Sequence, residues 1–384
     1  MRVVLAHSRY RSGGGEEFHI KLIHSGLQRA GIETMLYERN GSSVHGMLRR
    51  VSVGIGLVYN PRAASDLTRV MRSFRPDVVH FHNLLPLLTP STLRAAKRAG
   101  CRVVLTAHNY RFACPAGTLF RNGRIHEDCI EGSSLACGLR NSRGVWSESV
   151  AYGIAISLHR RLGMLKRWVD AFVAPSAFVG RMLVRSGLPA DRVHVIHNGV
   201  PLEVASGHPE EPRIGVFAGR LSTEKGLHVL LDAARYVPSV CLVIAGDGPL
   251  RGVVHEMRLP NVKYLGRLEQ RELSALRKHA VFTVLPSLSY DVSPSSAIES
   301  LAAGVPVIAS DIGGIPEIIH HEETGLLVER DNAKQLAEAM LQLWDDDGQR
   351  RLLGEQGRRF IGNEYGADRQ VERLVALYRG LLAA

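Results

Sequence analysis

The sequence predicts an α/β protein made of two doubly wound, Rossmann-like domains. Short apolar runs alternate with helical patterns along the whole chain, as in a parallel sheet covered by helices on both faces. The chain has 384 residues, a length that favours two domains over one. The alternation also starts afresh at Arg213, after a stretch rich in Pro, Gly and charge from Val200 to Pro212 that reads as a linker.

In the first series the expected strands are Val3–Ala6, Thr34–Tyr37, Asp77–Phe81, Arg102–Ala107, Ala171–Ala174 and Val193–Ile196. Helices are expected at Glu17–Ala30, Ser65–Phe74, Ser91–Ala99, Val145–Trp168 and Ala177–Ser186. In the second series the strands are Ile214–Ala218, Val240–Ala245, Val262–Leu265, Val281–Leu285 and Val305–Ala309. Its helices include Gly226–Tyr236, Gln270–His279 and Pro294–Ala303. The domains are then 1–200 and 201–366. Ligands of open α/β sheets bind beyond the carboxyl ends of the strands, so a site is expected in a cleft where two such domains face each other.

Hydrophobic residues make up 45% of the chain and charged residues 22%, the balance of a folded globular protein. No apolar run is long enough to span a bilayer. The opening residues Met1 to His7 read as a strand and not as a signal peptide, so a cytoplasmic protein is expected. Five cysteines in so long a chain do not form a disulfide scaffold. The net charge of +11 suits anionic partners such as nucleotide phosphates, acidic glycans or an anionic membrane surface. Sparse aromatics and the lack of any nucleic-acid-binding signature argue against nucleic acid.

The most informative segment runs from Ser287 to Ser310. It holds two carboxylates, Asp291 in a loop and Glu299 in a helix that Pro294 can open. A helix N-terminus presents N–H groups and a positive dipole end to an anion such as a diphosphate. An acid farther along can accept hydrogen bonds from sugar or ribose hydroxyls. Arg220 and Lys225 lie five apart in the loop after the first strand of the second series; they suit a diphosphate, or are two solvated charges. The loop Gly246 to Gly252 has its third glycine one place late for a dinucleotide fingerprint, but Gly248 can bound a nucleotide base. In Ser12 to Glu16, Gly13 and Gly14 allow close approach of backbone to ligand, or simply a tight turn.

His108 ends a strand of the first series, where it can meet a sugar hydroxyl or a developing charge. His80 and His82 alternate at another strand end, and packing or acceptor contact suits them better than a metal pair. Cys114, His126, Cys129 and Cys137 fall within one Gly-rich loop. They read either as a structural zinc set, with His-x2-Cys spacing, or as free thiols. The acidic run Asp345 to Asp347 reads as a solvated helix end. The helix Val145–Trp168 carries Trp146, Ile154 and Leu162 beside Arg160, Arg161, Lys166 and Arg167. It fits a core helix with a basic outer face, or a helix resting on an anionic membrane surface.

Taken together, Gly13-Gly14-x-Glu16, Asp77 to His80, His108, His197 to Val200, Gly219-Arg220, Lys225-Gly226, Gly246 to Pro249, and Asp291 to Glu299 followed by Ala303 to Val307 resemble the family-4, group-1 glycosyltransferases of GT-B fold over nearly the whole length. The resemblance implies a retaining transferase that moves a sugar from a UDP- or GDP-sugar to a hydroxyl acceptor, with no metal or cofactor required. The acceptor would be a glycan or a lipid-linked species of polysaccharide or glycolipid synthesis, and peripheral contact with the inner face of a membrane is compatible with it. Arg220 and Lys225 would neutralise the donor diphosphate, and Glu299 would bond the ribose. Asp291 stands where the family usually has Glu and would contact the transferred sugar. Val292, Ser293 and Ser295 would offer donors to the phosphates or sugar. His108 would sit at the reaction centre, with Gly13 and Gly14 near the donor phosphate. The helix near 367–384 would pack back on the first domain. The other readings are a sugar-nucleotide epimerase and a non-catalytic nucleotide-sugar-binding subunit.

Overall fold

The structure is a computed structural model that describes residues 1–9, 15–40, 56–202, 213–277 and 279–384. The chain divides into two compact units. One holds Met1–Arg121, His126–Gly199 and Ala367–Ala384, and the other holds Asn122–Ile125 and Val200–Gly366.

The first unit is built on a parallel six-stranded sheet. Its strands are β1 (Arg2–Arg9), β2 (Glu33–Asn40), β3 (Val78–His82), β4 (Arg102–Thr106), β7 (Ala171–Ala174) and β8 (Val193–Val195), ordered β2-β1-β3-β4-β7-β8. A two-stranded hairpin, β5 (Phe120–Arg121) with β6 (Arg124–Ile125), lies between β4 and β7 in sequence. The run Val78-Val-His-Phe-His82 is buried throughout, as a sheet covered on both faces requires. One core cluster joins Val3, Leu5, Ile23, Leu27 and Val78 to Val371, Leu374 and Tyr378 of the helix Ala367–Ala383. Each such Leu or Val stabilises the fold by roughly 1.5–3 kcal/mol when fully buried.

The second unit repeats the plan with β9 (Ile214–Ala218), β10 (Leu242–Ala245), β11 (Val262–Gly266), β12 (Ala280–Leu285), β13 (Val307–Ser310) and β14 (Gly325–Val328). The order is β11-β10-β9-β12-β13-β14, again parallel. Two Rossmann-like α/β sheets are therefore present, as the alternation predicted. β14 was not among the expected strands.

Most differences from the sequence reading lie at element ends, where one or two residues are set by capping. Asn60 caps Pro61–Phe74 through its side chain, four residues before the expected start. Pro294 stands just outside its helix, which runs Ser295–Ala302. A larger correction concerns Val145–Trp168, which is two helices, Trp146–Arg161 and Met164–Trp168. Gly163 between them has φ 57°, a left-handed conformation that ends a right-handed helix. The acidic run is a junction: Asp346 caps Asp347–Glu364 by accepting from the Gln349 N–H. The expected linker falls largely in 203–212, outside the described residues.

Gly226 fixes the geometry of the second unit's first loop. Its φ is 68°, and a Cβ there would lie 1.7 Å from the Pro286 carbonyl oxygen. That contact draws the end of β12 against the loop that follows β9. Gly226→Ala should cost about 2–4 kcal/mol, combining left-handed strain with a steric clash. Denaturant unfolding of the variant checks this, and a loss under about 1 kcal/mol would show that the loop relaxes freely.

Candidate functional site

Strand order places the chemistry. In each sheet the connections run one way and then reverse, and the loops leaving the strands at that reversal part to form a crevice. In the second unit the reversal lies between β9 and β12, and in the first between β1 and β3. Candidate residues of both units gather at these points.

After β9 come Arg220, the single turn Thr223–Lys225, and the helix Leu227–Tyr236. After β12 come Ser287, Asp291, Ser293 and the helix Ser295–Ala302. Lys225 Nζ donates to Asp291 Oδ1, while the Ser287 hydroxyl donates to Asp291 Oδ2 at 2.5 Å. The two loops are also laced through backbone, with Leu288 N–H donating to the Glu224 carbonyl at 2.9 Å. Arg220 is exposed, and its nearest acid, Glu224, is 3.7 Å away. The Ser293 hydroxyl is buried with no hydrogen-bond partner. No side chain caps the helix at Pro294, so its first N–H groups keep the polarity that favours an anion.

Glu299 is engaged by a residue that sequence reasoning missed. Arg277, at the end of Gln270–Arg277, donates from Nη2 to Glu299 Oε2. Both side chains are buried, 5% and 12% exposed, and Arg277 Nη1 has no partner. A buried ion pair of this kind holds a carboxylate in one orientation. Gly248 packs against the loop after β9; a Cβ there would lie 2.4 Å from the Leu221 carbonyl oxygen. Val292 lies within the loop between Asp291 and the helix.

In the first unit five imidazoles converge. His82 Nδ1 and His108 Nε2 share a hydrogen bond of 2.9 Å, with rings stacked 5.2 Å apart. His19 meets His108 edge-on at 6.0 Å, and His80 lies 4.2 Å from His82. His7 donates from Nδ1 to the His82 carbonyl at 3.2 Å and stands 3.7 Å from Glu16. Gln370 fixes His19. Its Oε1 accepts from the Gly199 N–H at 3.0 Å, so its Nε2 donates to His19 Nε2 at 2.9 Å. His80 is a satisfied core residue between the Tyr378 hydroxyl at 2.6 Å and the Thr106 hydroxyl at 2.7 Å. Beside His108 lies a small apolar cavity of about 60 Å³ bounded by Asn83, Arg111, Phe112 and Ile156, room for a few waters.

Burial keeps His19, His80, His82 and His108 neutral. It lowers His19 to about 4 and His80 to about 3, and holds His82 and His108 well below the ordinary value, with neighbouring imidazoles adding to the last three. Burial also raises Glu16 to about 7, against the pull of Arg111.

The structure brings together three of the four residues of the Gly-rich loop. Cys114, Cys129 and Cys137 have sulfurs within 4.8 Å of one another, all buried. His126 is not part of this group: its N–H is held by the Leu119 carbonyl at 2.8 Å, and its ring lies outside the triad. Gly13 and Gly14 fall outside the described residues. On the helix Trp146–Arg161, Tyr152 and Ile156 are buried, but Trp146 and Ile154 are exposed. The helix therefore has one core face and one apolar outer stripe. Among the described residues no helix is long and apolar enough to cross a membrane.

Comparison with known proteins decides the family. The sequence profile of Glycosyltransferase Family 4 matches residues 13–204, half of the chain, and that of Glycosyl transferases group 1 matches residues 202–360. This protein belongs to the family-4, group-1 glycosyltransferases. An uncharacterised glycosyltransferase of Methanocaldococcus jannaschii is 33% identical over 174 residues, 44% of this chain and 49% of that relative. The chain thus spans about half the length of that relative. Sucrose-phosphate synthase from Thermosynechococcus elongatus superposes with a TM-score of 0.74 at 19% identity, covering 100% of this chain and 99% of that one. HepE of Anabaena, solved in complex with UDP-glucose, gives a TM-score of 0.67 at 15% identity, covering 97% and 99%. At these identities the likeness is one of fold, and the fold of this glycosyltransferase is GT-B.

The histidine cluster makes the first unit acid-sensitive. Depressed histidines contribute stability that is fully present above about pH 6.5 and lost as pH falls toward their folded values. Glu16, raised, acts the other way: its contribution is present below about pH 4.5 and lost as pH rises through about 7. Between those limits four histidines oppose one glutamate, so the unfolded chain binds more protons than the folded one and stability should rise with pH. Denaturant midpoints measured from pH 4.5 to 6.5 test this, and a flat profile would contradict it.

Proposed function

We propose that this glycosyltransferase is a retaining enzyme that transfers a sugar from a UDP- or GDP-sugar to a hydroxyl acceptor. The observation that carries the donor assignment is the Lys225–Asp291 pair at the reversal between β9 and β12, beside an uncapped helix start and the exposed Arg220. A departing nucleoside diphosphate needs positive charge placed before the bond breaks. Arg220 supplies an exposed guanidinium fork whose acid neighbour, Glu224, stands 3.7 Å away, and Lys225 a point charge held in place by Asp291. Asp291 then has two tasks, to position Lys225 and to face the transferred sugar. The family's usual Glu is one methylene longer, so the shorter acid retunes sugar contact.

Glu299 accepts from the ribose hydroxyls with the oxygen that Arg277 leaves to it. Val292, Ser293 and Ser295 supply donors to the phosphates or sugar, and Gly248 bounds the base. The UDP-glucose complex of HepE supports a nucleotide-sugar donor through likeness of fold. His108, neutral through burial, accepts a hydrogen bond from a sugar hydroxyl or receives charge at the reacting centre. Gly13 and Gly14, in the loop after β1, approach the donor phosphate and the acceptor in this reading.

A glycan or lipid-linked acceptor of polysaccharide or glycolipid synthesis fits the basic charge. The exposed Trp146 and Ile154 with nearby Arg161 and Lys166 suit peripheral contact with the inner face of a membrane.

Thermal-shift titration with UDP-, GDP- and ADP-sugars identifies the donor, and product analysis with an acceptor panel then measures transfer. Lys225→Ala should lower turnover by about 10²–10³-fold, the range seen when one preorganised charge donor is removed. Turnover unchanged with a competent donor would overturn the role of Lys225. Conversion of the donor sugar without an acceptor would favour an epimerase instead.

A further inference from the structure

We propose that Cys114, Cys129 and Cys137 bind one thiophilic divalent ion, zinc by preference, which holds together the segment between β4 and the helix Trp146–Arg161. The segment has little regular structure of its own. Its helices are Asp128–Glu131 and Ser134–Leu139, of four and six residues, and its strands have two residues each. Elements this short gain little from their own hydrogen bonds, and small loop-rich modules depend on disulfides or metal ions.

The sulfurs are placed for one ion. Zinc binds thiolate at about 2.3 Å, so tetrahedral ligands stand roughly 3.8 Å apart. All three Sγ atoms lie within 4.8 Å of one another. The thiols are free and not joined as a disulfide, and three sulfurs in mutual reach exceed what one disulfide uses. Each comes from a different piece of chain: the turn after Tyr110 and the two short helices.

The surroundings suit a thiolate–metal centre. The Gly117 N–H donates to the Cys114 carbonyl at 3.1 Å, and the Cys114 N–H to the Tyr110 carbonyl at 2.8 Å, so the turn that presents this sulfur is fixed. The Ser142 hydroxyl, in a side chain 8% exposed, lies beside Cys137. Three thiolates with a divalent ion carry one net negative charge. Arg160 stands next to Cys129 and donates to the carbonyls of Cys129 at 2.6 Å, Ile130 at 2.7 Å and Gly132 at 2.9 Å. Its guanidinium therefore offsets that charge and fixes the backbone that presents Cys129. His126 lies outside the triad, so the fourth position of a tetrahedral ion falls to water.

Elemental analysis of the full chain, purified under reducing conditions from zinc-supplemented cells, tests the proposal. About one zinc per chain is expected. Strong chelators should remove it and lower the thermal midpoint by several degrees. Cobalt(II) added back should give sulfur-to-metal absorption that is lost in Cys129→Ser and retained in Cys241→Ser, whose thiol is exposed and not part of the triad. Less than a tenth of a metal ion per chain, with no sulfur-to-cobalt absorption from the wild-type protein, would overturn the proposal. So would a chain two daltons light with two of its five thiols blocked until reduced, since that identifies an oxidised pair.

Discussion

A parallel sheet covered on both faces leaves only the ends of its strands for chemistry. In both units the central strands are largely apolar, and the candidate polar groups collect near where the strand order reverses. The rest of the molecule follows from this. The loop after β9 and the loop after β12 diverge from neighbouring strands, so residues 66 apart in sequence, Lys225 and Asp291, come into hydrogen-bond contact. Gly226 lets the Pro286 carbonyl approach closely, and the Leu288 N–H bond to the Glu224 carbonyl ties those loops together.

The two units stabilise their polar residues in opposite ways. In the second unit, charges are kept and paired: Lys225 with Asp291, Arg277 with Glu299. In the histidine cluster of the first, charges are removed, although ion pairs such as Lys97–Asp170 persist elsewhere in that unit. Five imidazoles pack closely enough that protonating one would place a cation beside the others in a water-poor region. Ion pairs suit a partner that arrives charged, because they can exchange one counter-charge for another. Neutral imidazoles suit a partner that arrives neutral, such as a hydroxyl, because they can donate and accept without altering the net charge.

The fold was legible because periodicity is local: most strands and helices announce themselves within about ten residues, while β14 and the short hairpin did not. Gly163 shows the limit, since a helical pattern continued across a glycine that the structure uses as a break. The site was legible where it depends on position after a strand, as for Arg220, Lys225 and His108. It was not legible where it depends on which strands are neighbours. Arg277 meets Glu299 only because the sheet brings together the helices before and after β12, and nothing in the intervening residues encodes that placement. The three cysteines were visible as a loop-bound set, but spacing suggested His126 as their companion, and the fold of the hairpin leaves that ring outside.

The helix Ala367–Ala383 has a bearing on how the chain is made. Tyr378 closes the hydrogen bond of His80, Gln370 sets the proton of His19, and Val371 and Leu374 cover the face of β1. These residues leave the ribosome after the whole second unit has been synthesised. The first unit to emerge is thus the last to be completed, and until then it carries an uncovered sheet face and two buried histidines without their partners. The order of synthesis and the order of folding run opposite ways, which gives the second unit time to fold as an independent body while the first waits for its final helix.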